Sequence, residues 1–81
     1  RTLFLNIGRT RGLNPQSLIR YIVSTAGIDG SEIGQLKVHD NYSFADITEE
    51  HAQTVIDSLN SKVYRGRTLA VNFAKKNENK Q

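Results

Sequence analysis

Two segments in different parts of the chain alternate so strictly that each can bury only one side of an extended strand. Successive side chains of a strand point to opposite faces. In Leu3-Phe4-Leu5-Asn6-Ile7, the aliphatic Leu3, Leu5 and Ile7 share one face, and Phe4 and Asn6 the other. In Tyr42-Ser43-Phe44-Ala45-Asp46-Ile47, Ser43, Ala45 and Ile47 share one face, and Tyr42, Phe44 and Asp46 the other. Turning both aliphatic faces into a core leaves Phe4, Tyr42 and Phe44 on an open face. Three aromatics left in water are a costly exposure unless flat partners stack on them.

The rest of the pattern says what the strands pack against. Residues 2–7 read as the first strand, and Gly8-Arg9-Thr10-Arg11-Gly12 as a loop. A helix then opens with Asn14 as N-cap, Pro15 at its first position and Leu13 placed to staple onto Leu18. Leu18, Ile19, Ile22, Val23 and Ala26 form its apolar stripe, and Gly27 ends it. Asp29-Gly30 marks a turn. A second strand follows over 34–40, with Leu36 and Val38 inward and Gln35, Lys37 and His39 outward. Asp40-Asn41 makes a hairpin connection to the third strand, 42–47. Thr48 caps a second helix that carries Glu49 and Glu50 in its first turn and the stripe Ala52, Val55, Ile56 and Leu59. Asn60-Ser61 ends it. Residues 62–67 form a turn around Arg65-Gly66-Arg67, and a fourth strand spans 68–73, with Leu69, Val71 and Phe73 on one face.

The order β-α-β-β-α-β with right-handed crossovers predicts an α+β, ferredoxin-like fold. Its four-stranded antiparallel sheet has the order 4-1-3-2, with both helices on one face. Strands one and three are then central neighbours, so Phe4, Tyr42 and Phe44 meet on the helix-free face. Residues 1–74 form the domain and 75–81 a polar C-terminal tail.

The chain has 81 residues, the length of one domain. A domain this small buries roughly 60% of its unfolded surface, so its stability is modest. It starts on Arg1 rather than Met and enters a strand almost at once, which suggests a domain of a longer protein. No apolar run is long enough to span a membrane. The absence of cysteine removes disulfides and thiolate chemistry, in keeping with a cytoplasmic location. His39 and His51 show no ligand spacing with a carboxylate, so neither a metal nor a cofactor is expected. No nucleophile lies beside a base. The Gly8–Gly12 loop lacks the spacing of an NTPase phosphate loop, so the domain is not expected to be an enzyme by itself.

Charge is segregated. Residues 1–14 carry a net +3, residues 62–81 a net +5, and residues 15–61 a net −5. The predicted fold places the fourth strand beside the first, so the two basic portions become neighbours. A basic patch bordering an open aromatic face suits a polyanion with flat bases.

These segments resemble an RNA recognition motif. Leu3-Phe4-Leu5-Asn6-Ile7 is similar to that family's strand-one motif, and Asp40 through Ile47 to its strand-three motif, with Phe4, Tyr42 and Phe44 at the exposed aromatic positions. Asp40, Asn41 and Ile47 depart from the usual basic residue, glycine and final aromatic. A narrower resemblance covers nearly the whole chain. "LFLNIGRTRGLNP", "AGIDGSEIGQLKVHDNYSFADI" and "RGRTLAV" are similar to the DbpA-type RNA-binding domain found at the C-terminus of bacterial DEAD-box RNA helicases. That resemblance implies a helicase core in the same chain, structured or ribosomal RNA as the partner, and a monomer as an isolated domain.

The expected RNA-binding residues are Phe4, Tyr42 and Phe44 for stacking and Asn6 and Lys37 for polar contacts on the same face. Arg9, Arg11, Arg65 and Arg67 are expected on phosphates or base edges. Lys75 and Lys76 could close over bound RNA, and His39 reads as a surface residue. The alternatives are a protein-interaction domain that docks a partner on the aromatic face, or a small-ligand regulatory domain on the same topology.

Overall fold

The computed structural model describes residues 1–74; the tail from 75 to 81, with Lys75 and Lys76, lies outside the described residues. Strands β1 (Thr2–Leu5), β2 (Ile33–Val38), β3 (Ser43–Ile47) and β6 (Val71–Phe73) form an antiparallel sheet in the order β2-β3-β1-β6. Helices α1 (Pro15–Ala26) and α2 (Glu49–Leu59) lie between β1 and β2 and between β3 and β6. A separate two-stranded ribbon joins β4 (Val63–Tyr64) to β5 (Arg67–Thr68). This is the expected ferredoxin-like α+β architecture, with the predicted strand order.

The core follows the alternation. Leu3 and Leu5 from β1, Ala45 and Ile47 from β3, and Val71 from β6 are buried on the helix side. They meet Leu18 and Ile22 from α1 and Ala52, Val55, Ile56 and Leu59 from α2. Ser43 is the one buried polar side chain of the described core. Its hydroxyl donates to the Ile7 carbonyl at 2.7 Å, which satisfies it and ties β3 to the chain leaving β1. Helix α1 opens with a reciprocal capping box: the Asn14 side chain accepts from the Ser17 N–H at 2.9 Å, and the Ser17 hydroxyl accepts from the Asn14 N–H at 3.0 Å.

The bounds of four strands differ from expectation. The first strand ends at Leu5 instead of residue 7, because the Asn6 side chain takes over from the backbone ladder. Its Oδ1 accepts from the Ala70 N–H at 2.8 Å and its Nδ2 donates to the Thr68 carbonyl at 3.3 Å. The second strand starts at Ile33 and ends at Val38, and the His39 N–H closes the hairpin turn by donating to the Tyr42 carbonyl at 2.9 Å. Tyr42 therefore belongs to that turn, and the third strand begins at Ser43. The fourth strand is split. Residues 67–68 pair with 63–64, and only Val71–Phe73 joins the main sheet. The division is held by the Ser61 and Leu69 backbones and by the Asn60 side chain, which accepts from the Val71 N–H at 3.1 Å.

Thr48 is the N-cap of α2, as expected, but its hydroxyl does not cap. It donates instead to Glu32 Oε1 at 2.8 Å, where the turn before β2 brings a charged acceptor within reach. Tyr21 and Tyr64 pack with their rings tilted at 52° and centroids 4.5 Å apart, anchoring the ribbon on α1. Burial there, reinforced by Tyr64, holds the Tyr21 hydroxyl above the ordinary tyrosine range despite a bond from Thr25. Among the described residues no helix is long and apolar enough to cross a membrane, and no cluster of His, Asp or Glu could hold a metal ion.

Candidate nucleic-acid interface

The side of the sheet away from the helices carries one continuous row. Lys37 on β2 lies opposite Phe44 on β3, Phe44 opposite Phe4 on β1, and Phe4 opposite Asn72 on β6. The register follows from the same alternation that buries Leu3, Leu5, Ala45 and Ile47, so the row is a by-product of making the core. The Phe4 and Phe44 rings meet edge to face with centroids 5.8 Å apart. Tyr42 stands over the hairpin end of the row, 6.0 Å from Phe4 in a near-parallel arrangement and 5.6 Å from Phe44 edge-on. Packing of the rings on one another leaves Phe4 and Phe44 half-buried, while Tyr42 is 40% exposed. Shallow clefts flank the rings. One is lined by Phe4, Phe44, Asn72 and Phe73, the other by Thr2, Gln35, Lys37, Phe44 and Asp46.

A second cluster forms where β1 leaves the sheet. The loop after β1 folds into a 3-10 turn at Arg9–Arg11 and is fastened to the β2–β3 hairpin. The Arg9 N–H donates to the His39 carbonyl at 2.8 Å, the Thr10 N–H to the Asp40 carbonyl at 3.0 Å, and the Thr10 hydroxyl to the same carbonyl at 2.9 Å. Gly8 makes this approach possible, because a Cβ there would collide with the His39 and Asp40 carbonyl oxygens. Gly8→Ala is therefore expected to cost about 1–3 kcal/mol of stability through overpacking. It should also loosen the loop, read as faster hydrogen exchange of the Arg9 and Thr10 amides. Unchanged exchange would show that the loop does not depend on this close approach.

The fastening brings Arg11 to the tip of the β4–β5 ribbon. Arg65 and Gly66 occupy its two-residue turn with φ of 51° and 80°, the pair of positive values that a type I′ hairpin requires. Arg11 and Arg65 each point a guanidinium at the other's carbonyl, both at 3.5 Å. Arg67 Nε donates to the Asn6 carbonyl at 2.7 Å, and its side chain lines a polar cavity with Asn6, Ile7, Gly8, Thr10, Arg11 and Asn41. No salt bridge among the described residues neutralises Arg11, Arg65 or Arg67. Arg9 stands apart, 3.7 Å from the Asp40 carboxylate in an exposed pair of little energetic weight.

The structure thus gathers the expected residues into two adjoining groups. Phe4, Lys37, Tyr42 and Phe44 share the sheet face, and Arg11, Arg65 and Arg67 share the basic end. Arg9 borders the hairpin. Asn6 is on the expected face, but its amide is engaged by the backbone at Thr68 and Ala70. Sequence reasoning left out His39, whose ring stacks on Tyr42 with centroids 4.7 Å apart and an interplanar angle of 27°. Its position two residues after Lys37 on the outward side of β2 was the available signal. The anchoring role of Thr10 and the pairing of Asp40 with Arg9 depend on loop geometry and left no mark in the sequence.

Residues 2–73 match the family model of the DbpA RNA binding domain. An uncharacterized protein of Treponema pallidum (strain Nichols) is 33% identical over 75 residues, a match that covers 93% of this chain and 33% of that protein. The chain therefore spans about a third of the length of this relative. Among solved structures, the first two RRM domains of yeast poly(U) binding protein (Pub1) superpose with a TM-score of 0.76 at 20% identity, over 100% of this chain and 50% of that one. The Mip6 RRM3 domain gives a TM-score of 0.61 at 17% identity, over 91% of this chain and 90% of that one. At these identities the structural likenesses establish the fold.

Proposed function

This chain belongs to the DbpA RNA-binding domain family, and from that premise we propose that it grips structured RNA with two adjoining surfaces and thereby directs a larger protein to it. Unstacked bases lie on Phe4, Phe44 and Tyr42, with Lys37 and Asn72 at the ends of the row. The phosphates of the adjoining backbone lie against Arg11, Arg65 and Arg67. The observation that carries this reading is the unbroken Lys37–Phe44–Phe4–Asn72 row, beside three arginines without carboxylate partners among the described residues. Arg65 adds support. A positive φ favours Asn or Gly over a long side chain, so arginine at the turn carries a backbone cost that a role for its guanidinium would explain.

Phe44→Ala tests the sheet face. It should weaken RNA binding by about 1–3 kcal/mol in a mutant that remains folded. An unchanged affinity would remove the sheet face from the interface. A salt titration tests the alternative of protein docking on the same rings. Binding that releases counterions weakens steeply with salt, whereas an apolar docking face is nearly indifferent.

For the larger protein, the family resemblance favours an ATP-dependent DEAD-box helicase acting on ribosomal RNA in the cytoplasm, with this domain as a non-catalytic tether. The tether raises the local RNA concentration seen by the core. A second reading comes from the Treponema pallidum relative, in which the unmatched length leaves room for about one further domain of ordinary size. There the same module would serve a smaller partner domain. ATP hydrolysis by the full-length protein distinguishes the two. RNA-stimulated hydrolysis that survives deletion of residues 1–74 but loses its preference for the cognate RNA supports the helicase. A full-length protein that hydrolyses no ATP with RNA present supports the smaller architecture.

A further inference from the structure

We propose that His39 is a fourth ring of the RNA platform and makes RNA affinity rise as pH falls through the range in which imidazole gains a proton. The inference rests on the reading of the sheet face as the RNA site. His39 is exposed at the end of β2, stacked on Tyr42 at 4.7 Å and edge-on to Phe44 at 6.0 Å. Its backbone is fixed on both sides: the N–H donates to the Tyr42 carbonyl at 2.9 Å, and the carbonyl accepts from the Arg9 N–H at 2.8 Å. The hairpin therefore positions the ring before any ligand arrives. No hydrogen bond or ion pair within the described residues engages its ring nitrogens.

The charges around it are few. Arg9, His39, Asp40, Asn41 and Tyr42 line one shallow pocket, in which Arg9 and Asp40 offset each other at 3.7 Å. Lys37 lies two residues upstream in β2, and the β3 side contributes the neutral Phe44. While His39 is neutral the pocket carries no net charge. Protonation adds one positive charge beside Tyr42, where the backbone of a base stacked on that ring must pass. A phosphate there favours the imidazolium, so bound RNA holds the proton more tightly than the free protein does. By linkage, affinity then increases as pH falls through the imidazole range and gains nothing above it. His51 is the natural control. It lies in the first turn of α2, on the helix side, 3.3 Å from Glu32.

The test is the affinity of the domain for a single-stranded uridine oligonucleotide, whose bases do not titrate in this range, at constant ionic strength from about pH 8 down to about pH 5.5. The wild type should bind roughly tenfold tighter at the acid end than at the alkaline end. His39→Phe, which keeps a ring but cannot take up a proton, should flatten the profile, whatever its affinity at high pH. His39→Ala should bind more weakly at both ends, and His51→Gln should keep the wild-type profile. A flat wild-type profile, a slope that persists in His39→Phe, or no binding at any pH overturns the proposal. Phe44→Ala measured alongside separates the two levels. If it leaves affinity unchanged, the sheet-face reading fails. If it weakens binding while His39→Phe behaves as wild type, only the role of His39 fails.

Discussion

Replacing Ile47 by alanine is expected to lower the folding free energy by about 2–5 kcal/mol, measured by urea or thermal unfolding. Ile47 is 2% exposed and packs between the sheet and the helices, at the point where β3 hands the chain to α2. Its backbone N–H is committed to the Arg1 carbonyl at 2.8 Å, so the strand cannot move in to close the cavity without breaking that bond. Small domains hold about 5–15 kcal/mol in total, so the loss is a large share of what keeps this one folded. In a domain of this size each kcal/mol moves the melting temperature by about 4–8 °C, which makes the shift easy to read. Phe44 lies three residues earlier on the same strand and faces the other way. Its truncation should be felt much more in RNA affinity than in stability. The pair tests the alternation itself: a loss below about 1 kcal/mol at Ile47 would mean that the strand's two faces have been assigned the wrong way round.

That alternation is why so much was legible. A slip of one residue exchanges the two faces of a strand, so the patterns around Leu3 and Ala45 fixed which side of the sheet faces the helices. They also fixed that Phe4 and Phe44 face away. The helix signals at Asn14-Pro15 and Gly27 are local, and the structure carries them unchanged. The misplaced boundaries have a common cause, which is side chains or loops standing in for backbone pairing. Asn6 spends its amide on Thr68 and Ala70 and so ends β1 early. Asn60 accepts from Val71 and helps split the last strand in two. These bonds join residues distant along the chain, and nothing in the periodicity encodes them. The basic end was only half legible. The predicted strand order brought the basic first and last portions of the chain together, but did not say which arginines would meet. That depended on Gly8 admitting the hairpin carbonyls and on the type I′ turn that aims Arg65 at Arg11.

Removing the three charges that meet there should produce the largest change in binding. In the triple variant Arg11→Gln, Arg65→Gln, Arg67→Gln, the slope of log affinity against log salt should fall by about 0.7 for each phosphate no longer neutralised on a single strand, and by about 0.9 on a duplex. Three such phosphates lower the slope by about two and weaken binding at least tenfold at low salt, where each released counterion counts most. The three must be changed together because Arg11 and Arg65 reach for each other's carbonyls and Arg11 flanks one cavity with Arg67, so a single loss can be covered by its neighbours. Arg9→Gln should have a much smaller effect, since Asp40 already offsets that charge. Arg20→Gln, on the exposed side of α1, should have none. Because Arg67 also donates to the Asn6 carbonyl, the triple variant's unfolding midpoint must be measured beside its affinity. A folded variant with the wild-type slope would mean that phosphates do not pass over this end of the sheet. Equal effects from Arg9, Arg20 and the triple would mean that net charge, and not this arrangement of arginines, attracts the RNA.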